Sequence, residues 1–292
     1  VRGVSGLIRT RSARLRLVLA LLVAMLAVGC AGQAPPPSIA VGASSDPESQ
    51  VLAHLYVAAL RFYGNAAHVQ EAQDPLRGLD SGDITVAPVF TGRLLHRLDP
   101  QSPARSEVQV YRTLLSSLPE GIAAGDYTIS AQDEPALAVT EQAAETWAGD
   151  DVSDVLPRCP ELSVGAVDGQ SVPQMLGTCR LSATREFDDD AAMFAALRAG
   201  GIDAAWTTTA APDVPEDVAV LADTTSLVRA ENVVPLYRRN ELTESQVLAL
   251  NEIAGVLDTG SLADMRRQVA EGADAGLVAG RWLDEHPLGV GN

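Results

Sequence analysis

Residues 77–91 read RGLDSGDITVAPVFT, and residues 197–207 read LRAGGIDAAWT. In each stretch a helix is brought to its end by glycine, and the chain turns into an apolar run with strand character. Each run leads into an aromatic residue followed by threonine: Phe90-Thr91 in the first, Trp206-Thr207 in the second. Two similar α/β halves that each deliver an aromatic–Thr pair to a strand's C-terminal end predict two lobes facing a shared cleft. Ligands of open α/β sheets bind at such strand ends.

Working outward, Ile39-Ala40-Val41-Gly42 reads as a buried strand, and Ser44-Ser45-Asp46-Pro47-Glu48 reads as a helix start. Asp46 or Ser45 serves as N-cap, with Pro47 at the first helical position. Val51, Leu52, Leu55, Tyr56, Ala59 and Tyr63 follow at the 3–4 spacing of one core-facing stripe. The Ser44 and Ser45 hydroxyls, with the free N–H groups of that helix start, form a receptor for a carboxylate or other acceptor. Further strands are predicted over 67–69, 83–87, 127–130, 136–140, 162–164, 181–184, 202–206, 218–221 and 233–236. Helices are predicted over 74–79, 108–118 and 191–199, with three more in 243–287. Alternating strands and helices argue for α/β layers and largely parallel sheets.

The N-terminal stretch has its own pattern. Five arginines (Arg2, Arg9, Arg11, Arg14, Arg16) precede an apolar run from Leu17 to Gly29, which ends in Leu26-Ala27-Val28-Gly29-Cys30. That order is the pattern of a secretory signal peptide. A cysteine at the first mature position makes it a lipoprotein signal, with Cys30 as the lipidation site. The run is shorter than the roughly 20 residues that span a bilayer. The expected plan is therefore a signal peptide over 1–29, a Pro-rich tether over 30–38, and a folded part held by lipid on the extracytoplasmic face of the cell membrane.

Composition narrows the function. The 292 residues carry 38 acidic groups against 21 arginines and no lysine, a net charge of −17. Such a surface repels nucleic acid, whose binding rests on cations that neutralise phosphates. With Cys30 assigned to lipid, Cys159 and Cys179 remain, and in an oxidising compartment an even remainder predicts a disulfide. A thiolate metal site needs more ligands, and the four histidines lie far away in sequence. No G-x-S-x-G, S-x-x-K, H-E-x-x-H or Gly-rich phosphate loop occurs. Asp188-Asp189-Asp190 reads as a helix cap and dipole complement. No catalytic residue, metal or cofactor is expected.

Four segments carry a resemblance: VGASSDPESQVLAHLYVAAL, LDSGDITVAPVFTGRLL, AQDEPALAVT and ENVVPLYRRNEL. They resemble the osmoprotectant substrate-binding lipoproteins of ABC transporters, the glycine betaine/choline-binding type, in the expected order over residues 39–287. The resemblance implies a type II periplasmic-binding-protein fold, two α/β lobes joined by two crossing segments. It divides the chain into lobe 1 (39–135 with 233–292) and lobe 2 (136–232), with crossings near Pro135–Thr140 and Ser226–Asn232. It also implies capture of a small solute between the lobes for delivery to membrane permease subunits; the same fold could instead serve as an envelope sensor or scaffold.

In that family a quaternary ammonium is held in an aromatic cage by cation–π attraction. The tyrosine of the family's P-E-Y-T-G motif matches Phe90, and Trp206 falls at or near another cage position. Two further aromatic positions match Pro135 and Glu231, the motif's acidic residue is Val89 here, and the arginine that meets the betaine carboxylate has no counterpart around Gly165–Pro173. These departures point to a more polar ligand, polyhydroxylated or amine. The expected cleft walls are Phe90, Thr91, Trp206 and Thr207. Ser44, Ser45 and Asp133 are the expected first-lobe polar contacts, with Glu231 and Asn232 at a crossing.

Overall fold

A computed structural model describes residues 37–147 and 149–289; the leader and Cys30 lie outside them. Strand β1 (Ile39–Ala43) leads into helix α1 (Pro47–Phe62), whose start is fixed by Asp46. The Asp46 carboxylate accepts the Ser49 N–H at 2.8 Å, so Asp46 and not Ser45 is the cap. Val51, Leu52, Leu55, Tyr56 and Ala59 form the buried stripe. Tyr63 falls one residue past the helix end and stays exposed.

The first half continues through β2 (Ala67–Glu71), α2 (Pro75–Ser81), β3 (Val86–Phe90), α3 (Thr91–Leu98), α4 (Glu107–Ser117) and β4 (Ile122–Ala124). The second holds β5 (Pro135–Thr140), α5 (Glu141–Trp147), a 3-10 helix (Val152–Glu161), β6 (Val164–Val167), and the hairpin β7 (Met175–Leu176) with β8 (Cys179–Arg180). Strand β9 (Arg185–Phe187), α6 (Asp190–Arg198), β10 (Ala204–Thr208) and β11 (Val218–Val220) complete it. Strand β12 (Val233–Arg238) and helices α7 (Glu244–Val256), α8 (Thr259–Ala270) and α9 (Ala275–Glu285) close the chain.

Two five-stranded sheets result, ordered β2-β1-β3-β12-β4 and β11-β5-β10-β6-β9. Both are mixed rather than largely parallel. In the first, β1 pairs in parallel with β2 and β3, while β12 runs antiparallel to β3 and β4. In the second, β10 is parallel to β6 and antiparallel to β5. The reversal belongs to the strands that flank each passage between sheets. The chain leaves the first sheet after β4 and returns to it at β12, so the passages run through 125–134 and 221–232. Pro135–Thr140 is therefore a strand of the second sheet and not a crossing. The predicted strand at 127–130 belongs to the first passage, where the Thr128 N–H bonds the Val233 carbonyl at 2.9 Å. The predicted strand at 181–184 makes no ladder, and pairing resumes at β9.

Each sheet is packed on both faces. The first buries Val41, Leu52, Leu55, Phe90 and Val233 with the C-terminal helices on one side. Its other side buries Leu79, Ile84, Leu95 and Leu114 beneath α2 to α4. The second sheet packs Leu137, Val164 and Trp206 against the 3-10 helix, and Ala138 and Ala205 against α6. Cys159 and Cys179 form a disulfide that pins the β7–β8 hairpin to the 3-10 helix.

Candidate functional site

The turn chemistry that links the two quoted stretches is present in both. Gly82 and Gly200 take left-handed backbone, φ 81° and 70°, at the helix ends before β3 and β10. Counted from these glycines, Thr208 and not Trp206 occupies the place of Phe90. Trp206 therefore lies deeper in its strand, 1% exposed, packed in a core cluster with Leu137, Val164, Leu221 and Val228. It is a core residue here, and Thr208 is the β10 side chain that reaches the gap. Thr207, one residue on, points to the opposite face of the strand and is buried.

Between the two sheets lies a gap of about 660 Å³. One side is supplied by Gly92, Arg93, His96 and Arg105, and the other by Thr208 and the loop Gln170–Met175. The passages contribute Asp133 and the run from Leu227 to Arg229 with Glu231, and Pro135 adds the start of β5. The lining contains no phenylalanine, tyrosine or tryptophan. A smaller niche of about 250 Å³ opens on the first lobe alone, walled by Leu52, Leu76, Pro88, Val89, Phe90 and Leu94. Arg93 borders both spaces.

The remaining expected residues sort into three groups. Asp133 and Glu231 line the gap. Thr91 and Asn232 tie the return passage to α3 and to the first passage. The Thr91 N–H bonds the Asn232 carbonyl at 2.9 Å, the Asn232 N–H bonds Thr91 Oγ1 at 3.1 Å, and Asn232 Nδ2 bonds the Thr128 carbonyl at 2.8 Å. Ser44 and Ser45 line neither space. Ser44 donates its hydroxyl to Asp46 and its N–H to Ser49 Oγ, so the α1 start is satisfied by its own neighbours.

Arg93, which the sequence reading did not single out, is the centre of the site. Its Nη1 lies 2.7 Å from Glu48 Oε2, its Nη2 pairs with Asp133 Oδ2, and its guanidinium carbon stands 4.3 Å from the centre of the Phe90 ring. The Arg93 backbone N–H donates to Glu231 Oε2 at 2.8 Å, so the return passage caps α3 with a carboxylate. That approach requires Gly92. A Cβ there would stand 2.5 Å from the Ala230 carbonyl oxygen and 2.7 Å from Glu231 Oε1. Arg266 of α8 completes the network: its Nη1 reaches Asp133 Oδ1 at 2.8 Å, Glu48 Oε1 at 3.0 Å and the Ala210 carbonyl at 2.8 Å.

Burial shapes the acid groups. It works against ionisation of Asp133, yet Arg266 and Arg93 together hold that carboxyl below its ordinary range. Burial pushes Glu48 up to about 7, with Asp133 adding repulsion. Glu231 is likewise pushed up to about 7 by burial. Glu134 rises to about 7 for the same reason, with Asp223 and Glu231 contributing. Arg105 and Arg229 bond backbone carbonyls instead of carboxylates: Arg105 Nη1 to Leu227 at 2.5 Å, Arg229 Nη2 to Ser102 at 2.7 Å. The one local signal for Arg93 was its place next to the Thr-Gly pair. Its partners lie 45 and 40 residues away, beyond the reach of any spacing rule.

Residues 37–285 match the family model described as the substrate binding domain of the ABC-type glycine betaine transport system. The chain belongs to this family. Among curated proteins none matches it. Solved structures similar to this binding domain include a glycine betaine/carnitine/choline ABC transporter protein, at TM-score 0.69 and 15% identity over 85% of this chain and 98% of that one. Apo YehZ from Escherichia coli matches at TM-score 0.68 and 19% identity, over 86% and 99%. An ABC-transporter choline-binding protein in complex with choline matches at 0.52 and 14%, over 86% and 89%. At these identities the structures share the fold of the binding domain, the type II periplasmic-binding-protein arrangement of two α/β lobes. Among the described residues no helix is long and apolar enough to cross a membrane.

Proposed function

We propose that this binding domain captures a small, hydroxyl- or amide-bearing solute in the 660 Å³ gap and presents it to ABC permease subunits. The observation that carries the reading is the lining itself. Gln170, Ser171, Gln174, Thr208, Asp133 and Glu231 line the gap, and no phenylalanine, tyrosine or tryptophan ring is in the lining. A quaternary ammonium has no proton to donate and depends on ring faces. A polyhydroxylated or amide solute instead finds donors and acceptors on both lobes. Contacts made to both lobes at once favour the closed form, so ligand shifts the population toward closure about the two passages.

Placement follows from the leader. Cys30 carries the lipid, residues 31–38 act as a tether, and the domain works on the extracytoplasmic face within reach of its permease. The family in which the chain falls works in solute binding, in agreement with a role without catalysis.

The test is a thermal-shift screen of the purified domain with polyols, sugars, amides, amines and betaines. A solute at 100 times its Kd adds about 2.7 kcal/mol of stability. Polar non-quaternary solutes should raise the midpoint. No shift with any solute would overturn the reading in favour of an envelope sensor or scaffold.

A further inference from the structure

We infer that Phe90, Glu48 and Asp133 form a cation subsite on the wall of the first lobe, that Arg93 fills it from within the chain, and that Arg93 thereby excludes quaternary ammonium solutes. The inference rests on reading the gap as the solute site.

The requirements of a cation receptor are met here. A ring face and two carboxylates converge on a single positive group: the guanidinium carbon at 4.3 Å from the Phe90 centre, Glu48 at 2.7 Å, and Asp133 in direct contact. Asp133 is 1% exposed, so its charge needs a cation beside it in any state of the protein. Arg266 supplies one from the far side, and Arg93 supplies the other from the side of the gap. The Arg93 side chain is 47% exposed, so the position it occupies is open to solvent and to solute.

A tethered guanidinium competes as a very concentrated ligand, because its binding is intramolecular. A free quaternary ammonium must displace it and then forgo its hydrogen bonds to Glu48 and Asp133. Arg93 also stands between the 250 Å³ niche and the larger gap, bordering both. Shortening it removes the resident charge, bares the Phe90 face and joins the two spaces. The carboxylates then lack a partner on the open side, which is the electrostatic state that attracts an external cation.

The experiment is calorimetric titration of the chloride salts of choline and tetramethylammonium into the wild-type domain, Arg93→Ala and Arg93→Lys. Arg93→Ala should bind both cations at least roughly tenfold more tightly than wild type, in line with the worth of a desolvated cation–π contact. Arg93→Lys, which keeps a positive charge in place, should show no gain. Adding Phe90→Leu to Arg93→Ala should abolish most of it. If Arg93→Ala does not fold, Arg93→Met removes the charge while keeping an apolar stem. Wild type binding choline as tightly as the variant overturns the proposal, as does a folded Arg93→Ala or Arg93→Met with no gain. The wild-type screen with neutral solutes reports separately on the solute-binding reading, because the gain in cation affinity is a difference between variants that needs no native ligand.

Discussion

Arg266 Nη1 sits 2.8 Å from Asp133 Oδ1 and 2.8 Å from the Ala210 carbonyl, so one nitrogen of α8 holds both the first passage and the second lobe. Replacing Asp133 with alanine leaves Arg266, largely buried, without this partner. Breaking a buried pair from one side costs about 3–5 kcal/mol. The expected loss lies near the lower end, about 3 kcal/mol, because Arg93 is half exposed and regains water. Urea unfolding of Asp133→Ala measures it. A loss under about 1 kcal/mol would show that the network adds little to the fold.

Stability should fall as pH rises from about 4.5 to about 7. Glu48, Glu134 and Glu231 have folded-state values of about 7, raised by burial from an ordinary 4.5. Within that window the folded chain holds protons that the unfolded chain has released, so each added pH unit favours unfolding. Carboxyls shifted the other way, such as Asp133 and Asp74, stabilise above their ordinary 3.8 and lose that contribution only below the window. Urea midpoints at pH 5 and pH 7.5 test the sign. Glu134→Gln should flatten the slope, whereas Glu285→Gln, an equal charge change on the surface, should not. Equal slopes in the two variants would refute the assignment.

Trp206→Ala should cost about 3–5 kcal/mol in the ligand-free domain, the usual range for emptying a buried aromatic site. The ring packs in the core of the second lobe, and Thr208 holds the gap position. A variant with a near-normal thermal midpoint and weakened solute binding would instead make Trp206 a wall of the cleft.

The disulfide should matter to both stability and the site. Cys159 and Cys179 are 20 residues apart, and closing a loop of that size contributes about 3 kcal/mol in the chain-entropy model. The same loop contains Gln170–Met175, which lines the gap. The double variant Cys159→Ala, Cys179→Ala should lower the midpoint and weaken solute capture more than it weakens α6 packing. Hydrogen exchange of the 170–175 amides compared with those of α6 reads the difference. Uniform loosening of both segments would contradict it.

Much of the fold was legible in short range. Asp46-Pro47, the glycines at 82 and 200, and the apolar stripe of α1 are local signals, and each element they announce is present. The three C-terminal helices were legible from periodicity for the same reason. The echo between the two halves pointed correctly to two sheets. It misplaced the second aromatic because likeness of turn chemistry does not set how far a residue stands from its strand's end. The short segments at 127–130 and 181–184 have strand composition, but composition does not supply a neighbouring strand to pair with.

The sequence by itself determined the family, the two-lobed α/β plan and the pairing of Cys159 with Cys179, since caps, periodicity, motif order and cysteine count are read along the chain without knowing which residues meet in space. The tertiary structure alone decided which side chains meet around Arg93 beside the gap. Arg93, Glu48, Asp133 and Arg266 come from four separate elements, and their attraction acts over a few ångströms in space, a distance that the sequence does not encode until the lobes have folded.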